Sequence, residues 1–145
     1  MLRSLPPVGH PIRMRTIFQS FMRRGKGQDS FQKRFSDRPV FWVNSGTAAL
    51  TLSLKAISLA SNRKKVILPA YSCPSVLASV IKAGLQPVLC DINSNHFGFN
   101  IEHLKQKICD DTLAVIAVHL FGIPENILDL RELTSTTATN ILVDN

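Results

Sequence analysis

Residues 44–50, which read Asn-Ser-Gly-Thr-Ala-Ala-Leu, form the segment whose residue types and spacing are best suited to binding a ligand. They lie between a short apolar run, residues 40–43, and a longer run of helical character. Small residues at a turn from strand to helix leave backbone N–H groups exposed at the positive end of the helix dipole. Such a turn suits an anion, and in particular a phosphate monoester. The alternative is an ordinary helix start, in which Ser45 or Thr47 caps the first turn.

Polar residues also follow the other apolar runs of the sequence. They are Ser72, Cys73, Asp91, His119 and Asp144. In a parallel sheet, ligands bind beyond the carboxyl ends of the strands, where such residues would share one rim. Each of them is a common loop cap when taken alone. Together they predict a rim that combines an anion-binding turn with a carboxylate.

The elements that must position these residues follow from the pattern of apolar positions after residue 38. Strands are predicted at residues 40–43, 64–68, 86–90, 112–119 and 140–143, and helices at 47–60, 75–83, 101–108 and 127–133. Gly84 is predicted to end the second of these helices in the left-handed conformation. Short strands that alternate with helices imply βαβ units. The predicted fold class is therefore α/β, a three-layer α/β/α arrangement with a mostly parallel sheet.

The composition bounds the class of protein. The chain has 145 residues, 45% of them hydrophobic, which suits one globular domain rather than a disordered segment. It has no apolar run of the roughly 18–20 residues that span a bilayer, and its start does not read as a secretory signal. The three cysteines are widely spaced and include no C-x-x-C pair. We therefore expect a cytoplasmic protein without disulfides, without a metal site and without membrane contact.

The net charge of +7 is concentrated at the N-terminus. Residues 1–38 contain nine Lys or Arg and two Asp, whereas residues 39–145 contain eight charges of each sign. We interpret residues 1–38 as a basic arm with one or two short helices, and residues 39–145 as the domain that forms the sheet. A basic arm can contact nucleic acid or anionic lipid. Its aromatic residues have helical spacing that suits packing, so we expect the arm to pack on a partner subunit and not on nucleic acid.

Several segments, in this order, resemble the sugar aminotransferases of the DegT/DnrJ/StrS type. They are Leu-Pro-Pro-Val-Gly at 5–9, the turn at 44–50, the run at 66–91, Val-His-Leu-Phe-Gly at 118–122, and a strand ending in a carboxylate at 141–144. Members of that family are pyridoxal-phosphate enzymes of the aspartate aminotransferase fold. The resemblance implies a partial large domain at residues 39–145, without the smaller C-terminal domain.

The resemblance also assigns two contacts to the cofactor pyridoxal 5′-phosphate. It implies that Gly46, Thr47 and Ala48 hold the 5′-phosphate, in agreement with the anion site expected from the helix dipole. It implies that Asp144 contacts the pyridine nitrogen, because a carboxylate there keeps the ring protonated as an electron sink. The alternative for Asp144 is a cap for a following helix.

Two further residues match positions near the cofactor. The family places an aromatic residue over the pyridine ring after the strand that ends at Pro69, and this position holds Cys73. Either Cys73 contacts the ring or Tyr71 reaches over it instead. His119, in the Val-His-Leu-Phe-Gly segment, lies at the implied rim and either contacts the ligand or packs within the fold.

The lysine that such enzymes use to bind the cofactor as a Schiff base has no match among the eight lysines of this sequence. They are Lys26, Lys33, Lys55, Lys64, Lys65, Lys82, Lys105 and Lys107. We therefore predict that the chain is the N-terminal part of an aminotransferase. We expect no catalytic residue among these 145 residues, and no enzymatic activity from them alone.

For the intact enzyme, the resemblance implies a nucleotide-linked keto sugar as substrate, an amino acid donor and a homodimer. Two alternatives remain open. One is a non-catalytic remnant or binding module whose basic arm docks on a partner. The other is a cysteine- or glycine-metabolising enzyme of the same fold.

Overall fold

The computed structural model describes residues 14–22 and 40–144 of the chain. The chain divides into two compact units, Met1–Trp42 and Val43–Asn145. The first unit contains helix α1 (Met14–Met22), which lies within the segment for which one or two short helices are predicted. The segment at 5–9 and the predicted boundary at residue 38 lie outside the described residues. So do the other residues of the arm.

The described part of the second unit is a four-stranded parallel sheet with helices between the strands. Its elements are α2 (Gly46–Ser58), β1 (Lys65–Pro69), α3 (Pro74–Lys82), β2 (Gln86–Cys90), α4 (Ile101–Lys107), β3 (Thr112–Val118), α5 (Ile127–Thr134) and β4 (Asn140–Asp144). The strand order is β2-β1-β3-β4. Eight of the predicted elements are thus confirmed, most of them to within two residues at each end.

Helices cover both faces of this sheet because the strands are apolar on both sides. On one face, Leu54 of α2 and Val80 of α3 pack with strand residues such as Ile116. On the other face, Leu104 of α4 and Leu130 of α5 pack with a second set that includes Ile67, Cys90 and Val115. The structure therefore confirms the three-layer α/β/α class. Gly84 has φ of +77°, as predicted for the end of α3.

The prediction of a strand at residues 40–43 is wrong. These residues have no regular secondary structure in the described chain, and the turn at Asn44 and Ser45 follows them directly. Their apolar, β-branched composition favours an extended segment, but a strand also needs a neighbour with which to exchange backbone hydrogen bonds. No strand of the described sheet pairs with them.

The order in which successive strands join the sheet reverses between β1 and β3. The connection from β1 leads through α3 to one edge of the sheet, at β2, whereas the connection from β3 leads through α5 to the other edge, at β4. A crevice opens at the carboxyl ends of the strands at such a point, and it is the usual ligand site of an open α/β sheet.

Among the residues that the structure describes, no helix combines the length and apolar character needed to cross a membrane.

Candidate functional site

The turn before α2 is built as the sequence indicates, with Ser45 as the N-cap. Ser45 has extended backbone angles, and its Oγ accepts a hydrogen bond from the Ala48 N–H at 3.2 Å. The capping alternative is therefore confirmed for Ser45. This cap leaves the N–H groups of Gly46 and Thr47 without a bond inside the helix. Both belong to the first turn, where the helix has no carbonyl four residues back to accept them. An anion bound here would use these two N–H groups, since the Ala48 N–H already has an acceptor.

The space above this turn is open. A Cβ atom built on Gly46 would have no heavy atom within 4 Å, and Gly46 is exposed. Neither a positive φ nor close packing requires glycine at this position. Gly46 is the first residue of α2, and its φ is not positive. Glycine instead leaves room for a group that would approach the backbone closely.

Helix α2 runs antiparallel to the strands, so its first turn lies toward their carboxyl ends. Ile57 and Ala60, at the end of α2 and just beyond it, line an open cavity of about 330 Å³ together with Leu113 and Asn140. Leu113 and Asn140 lie at the amino ends of β3 and β4. A helix of 13 residues is about 20 Å long, which is close to the length of these strands. The N-terminus of α2 is thereby placed at the rim that holds the predicted site.

His119 and Asp144 meet at the same rim. Val118 and Asp144 are partners in the ladder between β3 and β4, and the N–H of His119 donates to the carbonyl oxygen of Asp144 at 3.0 Å. Both side chains are half-buried. The structure therefore brings together these two predicted residues, from neighbouring strands, through the backbone.

Cys73 is exposed at the start of α3, on the loop that follows β1. Ser75 Oγ lies 3.0 Å from the sulfur and donates to it. This bond, assisted by the Ser75 N–H, lowers the pKa of the Cys73 thiol, while the negative charge of Asp144 acts on it in the opposite direction. The influence of Asp144 is in line with the placement of both residues at the carboxyl rim.

Tyr71 belongs to an exposed row of three aromatic rings. Its ring centroid lies 6.5 Å from that of Phe121, and Phe121 lies 6.0 Å from Phe97 in an edge-to-face arrangement. Tyr71 and Phe121 come from the loops after β1 and β3. Their contact therefore joins the two strands between which the strand order reverses.

Phe97 and Phe121 are two residues at this rim that the sequence analysis missed. They have φ of +58° and +55°, a conformation that is uncommon for residues other than glycine. Each is followed by a glycine, Gly98 or Gly122. An aromatic residue before a glycine in a turn was the available signal.

The described lysines lie away from the carboxyl rim or on exposed helix surface. Lys64 precedes β1 and Lys65 begins it, at the amino end of the strand, and Lys82 ends α3. Lys105, on α4, pairs with Glu102 at 2.9 Å. These positions agree with the expectation that these lysines are surface residues.

Comparison with known proteins finds a family model and individual relatives that are similar to the chain. Residues 13–145 match the sequence model of the DegT/DnrJ/EryC1/StrS aminotransferase family. The chain is 29% identical over 125 residues to GDP-perosamine synthase of Vibrio cholerae, covering 83% of this chain and 34% of that protein. It is 28% identical over 100 residues to UDP-N-acetyl-3-dehydro-alpha-D-glucosamine 3-aminotransferase of Acidithiobacillus ferrooxidans, covering 69% of this chain and 27% of that protein.

A solved structure of the E. coli GDP-4-keto-6-deoxy-D-mannose-3-dehydratase with bound hydrated pyridoxal phosphate is similar as well. It superposes with a TM-score of 0.70 at 27% identity, over 81% of this chain and 31% of that one. The chain spans about a third of the length of these relatives.

Proposed function

The chain belongs to the DegT/DnrJ/EryC1/StrS aminotransferase family, and on that premise we propose that it is the N-terminal part of a pyridoxal-phosphate-dependent aminotransferase. Its substrate is a nucleotide-linked keto sugar and its nitrogen donor is an amino acid. The substrate class is supported by the GDP- and UDP-linked substrates that the names of two relatives indicate.

The residues at the carboxyl rim fit the cofactor. The phosphate would bind to the amides of Gly46 and Thr47, where the helix dipole is positive and no atom would contact a Cβ on Gly46. Thr47 is half-buried, and its carbonyl oxygen accepts a bond from Thr51 Oγ1 at 2.7 Å, which steadies the first turn.

Asp144 would hold the proton of the pyridine nitrogen. Its carboxylate ends β4, and its backbone carbonyl is held by the N–H of His119, so the side chain projects from an anchored position. When bound, pyridoxal phosphate supplies an electron sink for the Cα–H or C–N bonds of amino compounds. A carboxylate at the ring nitrogen maintains the positive charge on which that chemistry depends.

Cys73 and His119 would complete the contacts of the ring. Of the two alternatives for the ring face, we propose Cys73, because Tyr71 already packs against Phe121. A thiol at this position gives a smaller, polarizable contact than an aromatic ring does. His119 would donate or accept a hydrogen bond beside Asp144.

We propose that these residues bind the cofactor but do not catalyse transamination alone. The described lysines at the amino end of β1 and at the end of α3 are a full strand or helix length from the rim. The Schiff-base lysine would therefore be supplied by residues other than these. In the alternative of a binding module, the same rim would bind the phosphate without any later chemistry.

We also propose that the protein works in the cytoplasm and as a homodimer. The cysteines Cys73, Cys90 and Cys109 are free thiols, which suits a reducing compartment. In α1, Ile17, Phe18 and Met22 are exposed apolar side chains of the kind that a partner subunit covers. Sedimentation velocity of the purified protein would report the dimer, and a monomer at micromolar concentration would contradict it.

One observation carries the proposed function: the amide-rich start of α2 and the carboxylate of Asp144 occur at the same end of the sheet. The test is nitrogen transfer. The product of the complete reading frame is incubated with 15N-glutamate and a nucleotide-linked keto sugar, and the sugar product is analysed by mass spectrometry. We expect one 15N atom in the sugar, and none when the 145 residues are used alone.

Two outcomes would contradict the proposal. Loss of a hydroxyl group from the sugar without incorporation of 15N would indicate a dehydratase, the activity named for one of the relatives. Incorporation of 15N by the 145 residues alone would show that one of the eight lysines acts after all.

A further inference from the structure

Glu125 is a buried carboxylate between two loops of the carboxyl rim. It is 8% exposed. Its Oε2 accepts a hydrogen bond from the Phe99 N–H at 3.0 Å, and its Oε1 accepts one from the Asn126 N–H at 3.1 Å. Among the described residues, no Lys, Arg or His forms an ion pair with it. Burial of a carboxylate is costly without such partners, so the two amide bonds are what makes its position tolerable.

The approach of Glu125 depends on glycine at position 98. A Cβ atom built on Gly98 would lie 2.7 Å from Glu125 Oε1 and 2.9 Å from His96 Nδ1. Both distances are shorter than van der Waals contact allows. Gly98 has no Cβ, so the carboxylate reaches the backbone of residues 98–99. Glu125 thereby ties the loop after β2 to the loop after β3.

The backbone of Glu125 determines the tautomer of His119. The Glu125 N–H donates to His119 Nδ1 at 3.1 Å. A nitrogen that accepts a hydrogen bond carries no proton, so the neutral imidazole has its proton on Nε2. Protonation of Nδ1 would bring two N–H donors together.

The Nε2–H group of His119 is available for a ligand. In the described part of the chain, the bond at Nδ1 is the imidazole's one hydrogen bond. Among the described residues, every buried side-chain nitrogen or oxygen has a hydrogen-bond partner. Since Nε2 of His119 has no such partner, this atom is in contact with solvent. His119 stands next to Asp144 at the rim, where its N–H and the Asp144 carbonyl are joined.

We propose that Glu125 is a positioning residue for His119. Its carboxylate anchors residue 125 to the loop at Phe99, its N–H fixes the imidazole of His119, and Nε2–H is thereby presented as a neutral donor to an oxygen atom of the bound ligand. The identity of that ligand rests on the proposed function; the tautomer and its dependence on Glu125 do not.

The side chain is needed because it has two acceptor oxygens for two N–H donors. Glutamine would keep the size of Glu125 but would offer one oxygen and one NH2 group, so the N–H of Phe99 or of Asn126 would lose its acceptor. Residue 125 would then be held less firmly, and its N–H would no longer select one nitrogen of His119. We expect the imidazole of the variant to populate both tautomers.

The test is the nitrogen NMR spectrum of His119 in the ligand-free chain labelled with 15N-histidine. The chain has four histidines, and loss of a signal in His119→Gln assigns the one of interest. In the wild type we expect a protonated Nε2 and an unprotonated Nδ1. In Glu125→Gln we expect averaged signals of both tautomers. Gly98→Ala should have the same effect, because its Cβ would displace Oε1.

Glu132→Gln is the matched control, since Glu132 is exposed on α5 and the same chemical change is made there. Its His119 spectrum should equal that of the wild type. A wild-type His119 with its proton on Nδ1 would overturn the proposal. So would an unchanged tautomer in a folded Glu125→Gln protein.

If Glu125→Gln does not fold, Glu125→Asp keeps the charge and both oxygens but withdraws them by one methylene, and a loosened tautomer is again expected. Unfolding of both variants would show that Glu125 serves only the fold, and would overturn the positioning role.

A second readout concerns the ligand. Pyridoxamine 5′-phosphate is used because it lacks the aldehyde that reacts with surface lysines. Glu125→Gln should weaken its binding by about 2- to 12-fold, the equivalent of one hydrogen bond, and Glu132→Gln should not. Equal affinity despite an altered tautomer would show that Nε2–H does not contact the ligand. A wild type that fails to bind this ligand, with the tautomer as expected, would count against the proposed function and leave the role of Glu125 intact.

Discussion

Replacement of Gly46 by alanine should separate the stability of the fold from the binding of phosphate. Gly46 begins α2, has no positive φ and would present its new Cβ to open space. Alanine at such a position reduces the entropy of the unfolded chain, so we expect the free energy of unfolding to rise by about 0.4–1 kcal/mol. For an ordered unit of roughly 100 residues, this corresponds to an increase in Tm of about 2–6 °C.

The same methyl group would occupy the space in which a phosphate approaches the amides of Gly46 and Thr47. Insertion of a methyl group into an occupied contact costs about 1–3 kcal/mol. We therefore expect the Kd for pyridoxamine 5′-phosphate to rise by about 5- to 150-fold. Pyridoxamine, which lacks the phosphate, should bind the variant and the wild type equally.

Isothermal titration calorimetry with these two ligands measures the binding, and circular dichroism measures the Tm. A stable Gly46→Ala protein that binds pyridoxamine 5′-phosphate as tightly as the wild type would refute the assignment of this turn to the phosphate. A variant that loses affinity for both ligands would point to a change in the ring contacts instead.

Three further changes test the local energetics. Ser45→Ala removes the N-cap bond of α2 and should lower the free energy of unfolding by about 1 kcal/mol in urea denaturation; no change would show that the cap contributes nothing. Leu54→Ala empties a fully buried position between α2 and the sheet and should cost about 2–5 kcal/mol in the same assay, whereas a cost below 1 kcal/mol would contradict the packing described. Alkylation by iodoacetamide, followed by mass spectrometry at pH 7–9, should modify Cys73 before Cys90, because Ser75 lowers the pKa of Cys73 and burial raises that of Cys90 to about 11; a faster Cys90 would reverse this assignment.

The sequence allowed the prediction of elements whose own pattern determines them. The strand at residues 86–90 and the helix that ends before Gly84 are found as expected, because an apolar run between turn residues and a glycine in the left-handed region are local signals. The capping role of Ser45 is likewise local. Residues 40–43 have the composition of a strand, but pairing depends on a neighbour, which local composition does not specify.

The arrangement of the rim depended on contacts between distant residues and was predicted only in outline. The carboxyl ends of parallel strands meet by geometry, so the proximity of His119 and Asp144 could be expected. The approach of the Glu125 carboxylate to the Phe99 N–H could not, since these two residues are 26 positions apart in the chain. The bond from the Glu125 N–H to His119 spans only six positions, but it depends on the path of a loop that includes the positive φ of Phe121.

In the proposed function, one molecule of cofactor spans the start of α2 and the end of β4. The most direct measurement is a crystal structure of the chain soaked with pyridoxamine 5′-phosphate. We expect phosphate oxygens at hydrogen-bond distance, about 2.7–3.2 Å, from the amides of Gly46 and Thr47, and the ring nitrogen at the same distance from a carboxylate oxygen of Asp144. A phosphate bound elsewhere, or a ring whose nitrogen faces away from Asp144, would contradict the account.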